Sequence, residues 1–186
     1  MTAPTLSSAT DVRDRSGAYA VIGAGPHGLS GLKALRQYGL DADGFERAGD
    51  VGGNWNFGAP TSRVYESTHL ISSKPFTQFP DFPMPDSFPD YPSHRHIKEY
   101  FNSYADHFGL REHISFNTEV VSVVPADGAG YIVTVRDVTT GTTYASTAPS
   151  TEISPQSFCS ATKSLSSAGV TRRAACGRTT SRMVRR

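Results

Sequence analysis

The sequence contains only two cysteines, Cys159 and Cys176, 17 residues apart. That excludes a disulfide framework and a C-x-x-C redox pair, so a reducing, cytoplasmic setting is expected. No run of 18 apolar residues occurs, which excludes a membrane-spanning helix. The opening segment MTAPTLSSATDVRDRSG, residues 1–17, lacks the apolar core of a secretory signal and reads as a short disordered leader. Charge of one sign is also scarce. A net charge of +1 argues against partners selected by bulk electrostatics, nucleic acid and anionic membranes included. Apolar residues make up 37%, a low figure for one well-filled core in 186 residues.

The charge balance hides a division. Residues 1–150 carry 11 Lys/Arg against 16 Asp/Glu, and residues 151–186 carry 7 against 1. From Ser146 onwards, Ser, Thr, Ala and Arg supply 26 of 41 residues, and Phe158 is the single aromatic. Such a stretch buries too little apolar surface to offset the entropy of ordering it. Residues 146–186 therefore read as a basic, low-complexity, disordered tail. Its scattered arginines have neither aromatic interleaving nor an amphipathic stripe, so they are a weak signal for binding.

What is present begins at AYAVIGAGPHGLSGL, Ala18 to Leu32, where Gly23, Gly25 and Gly28 form G-x-G-x-x-G. The apolar run ending at Ala24 suits a buried parallel strand. Leu29, Leu32 and Leu35 then recur on one helical face, Pro26 stands where a helix begins, and Gly39 offers a stop. DADGFER reads as a second strand ending on Glu46, 18 residues beyond Gly28. By itself the glycine pattern is better explained by a tight turn without a ligand. Strand, glycine turn, helix, strand and acid in that order favour a dinucleotide. Gly23 would allow the sharp turn, Gly25 the approach of a pyrophosphate, and Gly28 close packing of helix on strand. The free N–H groups at the helix start would receive the phosphates.

The next segment, FERAGDVGGNWNFG, resembles the second cofactor-contacting segment of flavin-containing monooxygenases and their Baeyer-Villiger relatives. It carries an acid followed by a G-G-x-W element: Glu46, Gly52, Gly53, Asn54 and Trp55. The likeness continues through a D-F-P-x-P element, a Y-P before a helix, and EYFNSYADHFGL, covering about residues 18–145. The resemblance implies two dinucleotide-binding domains, one for FAD and one for NADPH. In such enzymes NADPH reduces the flavin, and the reduced flavin with oxygen delivers one oxygen atom to a small organic substrate. By position, the backbone of Gly23, Ala24, Gly25, Pro26, His27 and Gly28 would bind the FAD pyrophosphate. Glu46 would bind the adenosine ribose. Asn54 and Trp55 would lie towards the flavin, with Ser72 a further candidate contact. No catalytic residue is identified. Where many amine-oxidising members have an asparagine ahead of S-x-K, HLISSK has Ile71, which cannot donate a hydrogen bond. The resemblance therefore does not carry amine oxidation, and the substrate and oligomeric state stay open.

Other features have structural readings. His94 and His96 would share a face only on a strand, yet they open a helix after Pro92, so no metal site is expected. Six prolines between Pro75 and Pro92 forbid regular structure there, and the interleaved aromatics predict a loop packed on the domain. Ile97, Phe101, Tyr104, Ala105 and Phe108 follow the helical period and read as core. ISF, EVVSVVP, YIVTVRDV and TTYAS are β-branched runs, predicting one more parallel strand and a small antiparallel meander.

The expected architecture is an α/β, dinucleotide-binding (Rossmann-like) parallel sheet with an antiparallel β-meander, in an incomplete FAD-binding domain over residues 18–145, followed by the disordered tail. After Tyr144 the family pattern stops, and no second G-x-G-x-x-G follows. The expectation is that a reading-frame shift or truncated gene replaced the remainder, leaving a chain inactive alone. The alternatives are another two-dinucleotide flavoprotein, such as a disulfide reductase, which the missing C-x-x-C disfavours, or a non-catalytic FAD-binding fragment.

Overall fold

The computed structural model describes residues 12–127 and 130–149; the remainder of the leader and most of the expected tail lie outside the described residues. Regular structure begins earlier than the leader's composition suggests. Val12–Arg13 forms strand β1, with Val12 opposite Ala145 and Arg13 opposite Ser146 in parallel register. The Arg13 guanidinium lies 4.0 Å from the centre of the Tyr144 ring, and Arg15 forms an ion pair with Asp43 at 2.6 Å. Expecting disorder throughout residues 1–17 is thus corrected at the end of that segment. Polar residues are ordered there by partners distant in sequence.

Strand β2, Tyr19–Ile22, leads into helix α1, Pro26–Gln37, and strand β3, Ala42–Phe45. β2 and β3 pair in parallel from Tyr19 opposite Ala42 to Ile22 opposite Phe45. α1 forms because Pro26 occupies its first turn without an N–H to waste, and Leu29 and Leu32 are fully buried on the predicted face. Each such leucine contributes about 1.5–3 kcal/mol of burial. Gly39 follows the helix, its N–H donating to the Arg36 carbonyl at 2.9 Å.

A short helix, α2, spans Lys74–Thr77 inside the proline-rich stretch. This corrects the expectation of no regular structure there. Pro75 falls in the first turn, where no helical N–H is required. The aromatics beyond it pack in part: Phe88 is buried with Met84, whereas Phe79 and Phe82 lie against the core and Phe76 and Tyr91 are exposed. The Tyr100 hydroxyl accepts from the Phe79 N–H and donates to the Phe82 carbonyl. Helix α3, His94–His107, supplies Tyr100 and buries Ile97, Phe101, Tyr104 and Ala105 on one face.

Strand β4, Ile114–Ser115, pairs parallel with β3, completing the order β2-β3-β4. Strands β5, Thr118–Pro125, β6, Tyr131–Asp137, and β7, Thr143–Ala148, form the antiparallel meander, whose sheet has the order β1-β7-β6-β5. β7 runs past the expected tail boundary at residue 146. Ser146 pairs with Val133 and Ala148 with Tyr131, so cross-strand pairing decides what low apolar content would not.

The two faces of β2 serve two cores. Tyr19 and Val21 pack with α1 and α3, while Ala20 packs with Phe45, Val133, Val135 and Ala148 of the meander side. The parallel sheet is thus a middle layer, with its glycine turn emerging at one end.

Candidate functional site

Beyond β2 the backbone turns sharply at Gly23, whose φ is +91°. Its N–H still donates to the Phe45 carbonyl at 2.8 Å, so the turn is anchored to the sheet. Gly25 is the N-cap of α1, and Pro26, His27 and Gly28 follow in its first turn. A Cβ on Gly28 would lie 1.8 Å from the Gly23 carbonyl oxygen, so only glycine permits this approach of helix to strand. No side chain caps α1, and no acidic residue stands in its first turn. The helix therefore presents free backbone donors and the positive end of its dipole.

Glu46 follows β3 and is buried, with 6% exposure. Its Oε2 accepts the Ala24 N–H at 2.6 Å and its Oε1 accepts the Ala48 N–H at 2.8 Å. Sequence reading assigned Glu46 to a ligand alone and missed this brace across the base of the turn. Each oxygen retains a second lone pair.

A second glycine turn abuts the first. The Gly52 N–H donates to the Ala24 carbonyl at 2.9 Å, so the Ala24 peptide is held from both sides. Gly53 has a φ of +54°, and a Cβ there would lie 3.0 Å from Gly25 Cα. Two backbones thus meet here, and it is Gly53 that leaves no room for a side chain, since a Cβ on Gly25 would stand at an ordinary 3.7 Å from Gly53 Cα.

The remaining residues singled out in the sequence are placed as follows. Asn54 is exposed, and its Oδ1 accepts the Arg63 N–H at 2.7 Å. Trp55 packs against the α1/α3 core and lines an open cleft of about 400 Å³ with Phe57, His94, Lys98 and Asn102. Ser72 is exposed, its hydroxyl paired with that of Thr77 at 2.7 Å, and Ile71 beside it is wholly exposed. The glycine turns, Glu46 and Trp55 are therefore gathered around one structure, whereas Ser72 is engaged on α2. His94 and His96 are engaged separately. The His94 Nε2 donates to the Glu66 carbonyl at 3.1 Å, and the His96 Nδ1 accepts the Ser93 N–H at 3.2 Å at the start of α3. Among the described residues no group of three or more His, Cys, Asp or Glu is assembled to hold a metal.

Sequence reasoning also missed an ionic cluster beside the second turn. Asp50 receives Lys98 at 2.6 Å on Oδ2 and Arg111 at 2.6 Å on Oδ1. Lys98 also donates to the Val51 carbonyl at 2.7 Å and to Asn102 Oδ1 at 2.9 Å, and Arg111 donates to that same oxygen at 2.9 Å. Lys98 and Asn102 stand four apart on α3, a visible helical spacing, but the bond from Lys98 to Asp50 spans 48 residues and has no local signature.

The family described as "Flavin-binding monooxygenase-like" matches residues 17–142, most of the chain. The chain belongs to this family. Mouse flavin-containing monooxygenase 5 is 43% identical over 108 residues, which cover 56% of this chain and 20% of that protein. Human flavin-containing monooxygenase 1 is 38% identical over the same length and coverage. This flavin-binding monooxygenase-like chain thus spans about a fifth of the length of the curated relatives it matches. Among solved structures, Tmm from Pelagibacter sp. superposes with a TM-score of 0.62 at 25% identity, covering 70% of this chain and 34% of that one. The open structure of cyclohexanone monooxygenase gives 0.59 at 27% identity, covering 74% and 26%. The layered α/β architecture is shared with these two solved structures.

Proposed function

We propose that this chain binds FAD on the two abutting glycine turns and forms the flavin-binding part of an NADPH-dependent monooxygenase acting on a small organic substrate in the cytoplasm. The observation that carries the reading is the Ala24 peptide, fixed by Glu46 and Gly52 at the uncapped start of α1. This arrangement fits an anionic pyrophosphate: the first turn of α1 is uncapped and carries no acidic residue, and Glu46 is engaged on the Ala24 N–H at the base of the turn. The backbone of Gly23 to Gly28 would hold the pyrophosphate, and the remaining lone pairs of Glu46 would take the ribose hydroxyls. Asn54 and Trp55 would lie towards the flavin, with Ser72 the least supported contact. Bound FAD supplies the redox chemistry of oxygen transfer. The protein residues bind, orient and shield it, and none is assigned as catalytic.

The sequence holds one G-x-G-x-x-G turn, which this reading gives to FAD. NADPH-driven oxygenation therefore requires more than these 186 residues. Calorimetric titration with FAD tests the first part, and anaerobic stopped-flow mixing of the loaded protein with excess NADPH tests the second. Saturable FAD binding without flavin bleaching is expected. Absence of FAD binding overturns the reading. Bleaching at roughly one per second or faster, the ordinary enzymatic range, overturns the assignment of NADPH chemistry to further sequence.

A further inference from the structure

The second glycine turn opens a single 3-10 turn, Gly53–Trp55, closed by the Trp55 N–H on the Gly52 carbonyl at 3.0 Å and the Asn56 N–H on the Gly53 carbonyl at 3.1 Å. Gly52 and Gly53 have φ values of +106° and +54°, in the left-handed region, and glycine has the most backbone freedom to lose. Its tertiary anchors come from α3 and the segment after it. Lys98 uses its ammonium on Asp50, on the Val51 carbonyl and on Asn102, while its stem passes 3.2 Å from the position of a Gly52 Cβ. Arg111 ties Asp50 to Asn102 and to Asp106. Val51, between Asp50 and Gly52, is fully buried. The next contact is the Gly52 N–H on the Ala24 carbonyl, so a continuous chain of bonds runs from α3 to the first glycine turn.

We infer that Asp50 is a positioning residue for the flavin nucleotide: with Lys98, Asn102 and Arg111 it locks the Gly52–Gly53 turn against Gly25, so that the two-turn surface exists before the ligand arrives. This rests on the FAD reading above. A turn ordered in advance does not charge its ordering entropy to the binding step, and releasing the lock transfers that cost to FAD affinity.

Two variants test it. Asp50→Asn removes the anion that both cations share, and Lys98→Met keeps the stem beside Gly52 while deleting the ammonium. Should one fail to fold, the other still decides. Amide hydrogen exchange is measured without FAD, and FAD affinity by titration. The expected result is exchange at residues 52–55 accelerated about tenfold or more, unchanged exchange inside α1 and α3, and an FAD dissociation constant raised about tenfold, the scale of lost preorganisation. Val133→Ala, a cavity in the meander core, serves as the purely destabilising control and leaves both readouts at their parent values. Unchanged exchange at residues 52–55 overturns the inference alone. So does faster exchange with undiminished FAD affinity. A parent protein that takes up no FAD overturns the flavin reading and this inference together.

Discussion

The Glu46 carboxylate and the Ala24 amide are joined at 2.6 Å across 22 residues of sequence, tying the end of one parallel strand to the glycine turn after its neighbour. The bond belongs to the fold before it belongs to any ligand. The other oxygen of Glu46 accepts from Ala48. Glu46→Gln can satisfy only one of these buried donors and turns its own N–H₂ towards the second. We expect a loss of about 1.5–3 kcal/mol, the range for a hydrogen bond to a charged group. Denaturant unfolding of FAD-free protein measures it. Unaltered stability would show that the brace is not made in solution.

Gly28 and Gly31 occupy the same helix and predict opposite outcomes. Gly28→Ala drives a Cβ into the Gly23 carbonyl, and backbone cannot swing aside as a flexible side chain would, so a cost of at least about 1–3 kcal/mol is expected. A Cβ on Gly31 meets nothing within 4 Å, and Gly31→Ala should stabilise by about 0.5–1 kcal/mol through reduced backbone entropy of the unfolded chain. Shifts in denaturation midpoint at constant m-value give both signs. Equal effects from the two substitutions would contradict the packing described.

Partial burial alone would raise the Asp50 carboxyl, but the hydrogen bonds from Arg111 and Lys98 outweigh it and hold the group below the ordinary 3.8. A carboxyl lowered in the fold stabilises the protein above its unfolded value, and the contribution disappears as pH falls through the folded value. Melting temperature should therefore drop on acidification below about pH 4, the unperturbed aspartate range. The drop should be shallower in Asp50→Asn, which has no proton to take up. Parallel pH profiles for parent and variant would mean that Asp50 is not paired.

The Tyr104 phenol is pushed up to about 12 by burial first, and then by the nearby charge of Asp81 and by Tyr100. Here the sign is reversed. The neutral phenol is favoured in the fold, so its contribution is complete below the ordinary value of 10.0 and is lost as pH rises towards 12. Absorbance titration of tyrosinate should show a late step that Tyr104→Phe removes. If that variant leaves the high-pH limb unaltered, Tyr104 is not shielded as described.

The first glycine turn, α1, β3 and the buried face of α3 could be read from the sequence because their causes are local. A strand period, a proline at a helix start, a helical repeat of leucines or aromatics and a glycine at a forced approach all leave marks within a few residues. The meander was legible for the same reason. What only the tertiary structure decided are pairings between distant segments. β1 forms because residues 12 and 13 find residues 145 and 146, and β7 continues to Ala148 because β6 lies beside it. Glu46 becomes a brace because Ala24 is brought to it, and Asp50 becomes the centre of an ionic cluster because α3 and Arg111 fold over the second turn. Residue type announces what a carboxylate can accept, but which donor reaches it depends on the path of the whole chain.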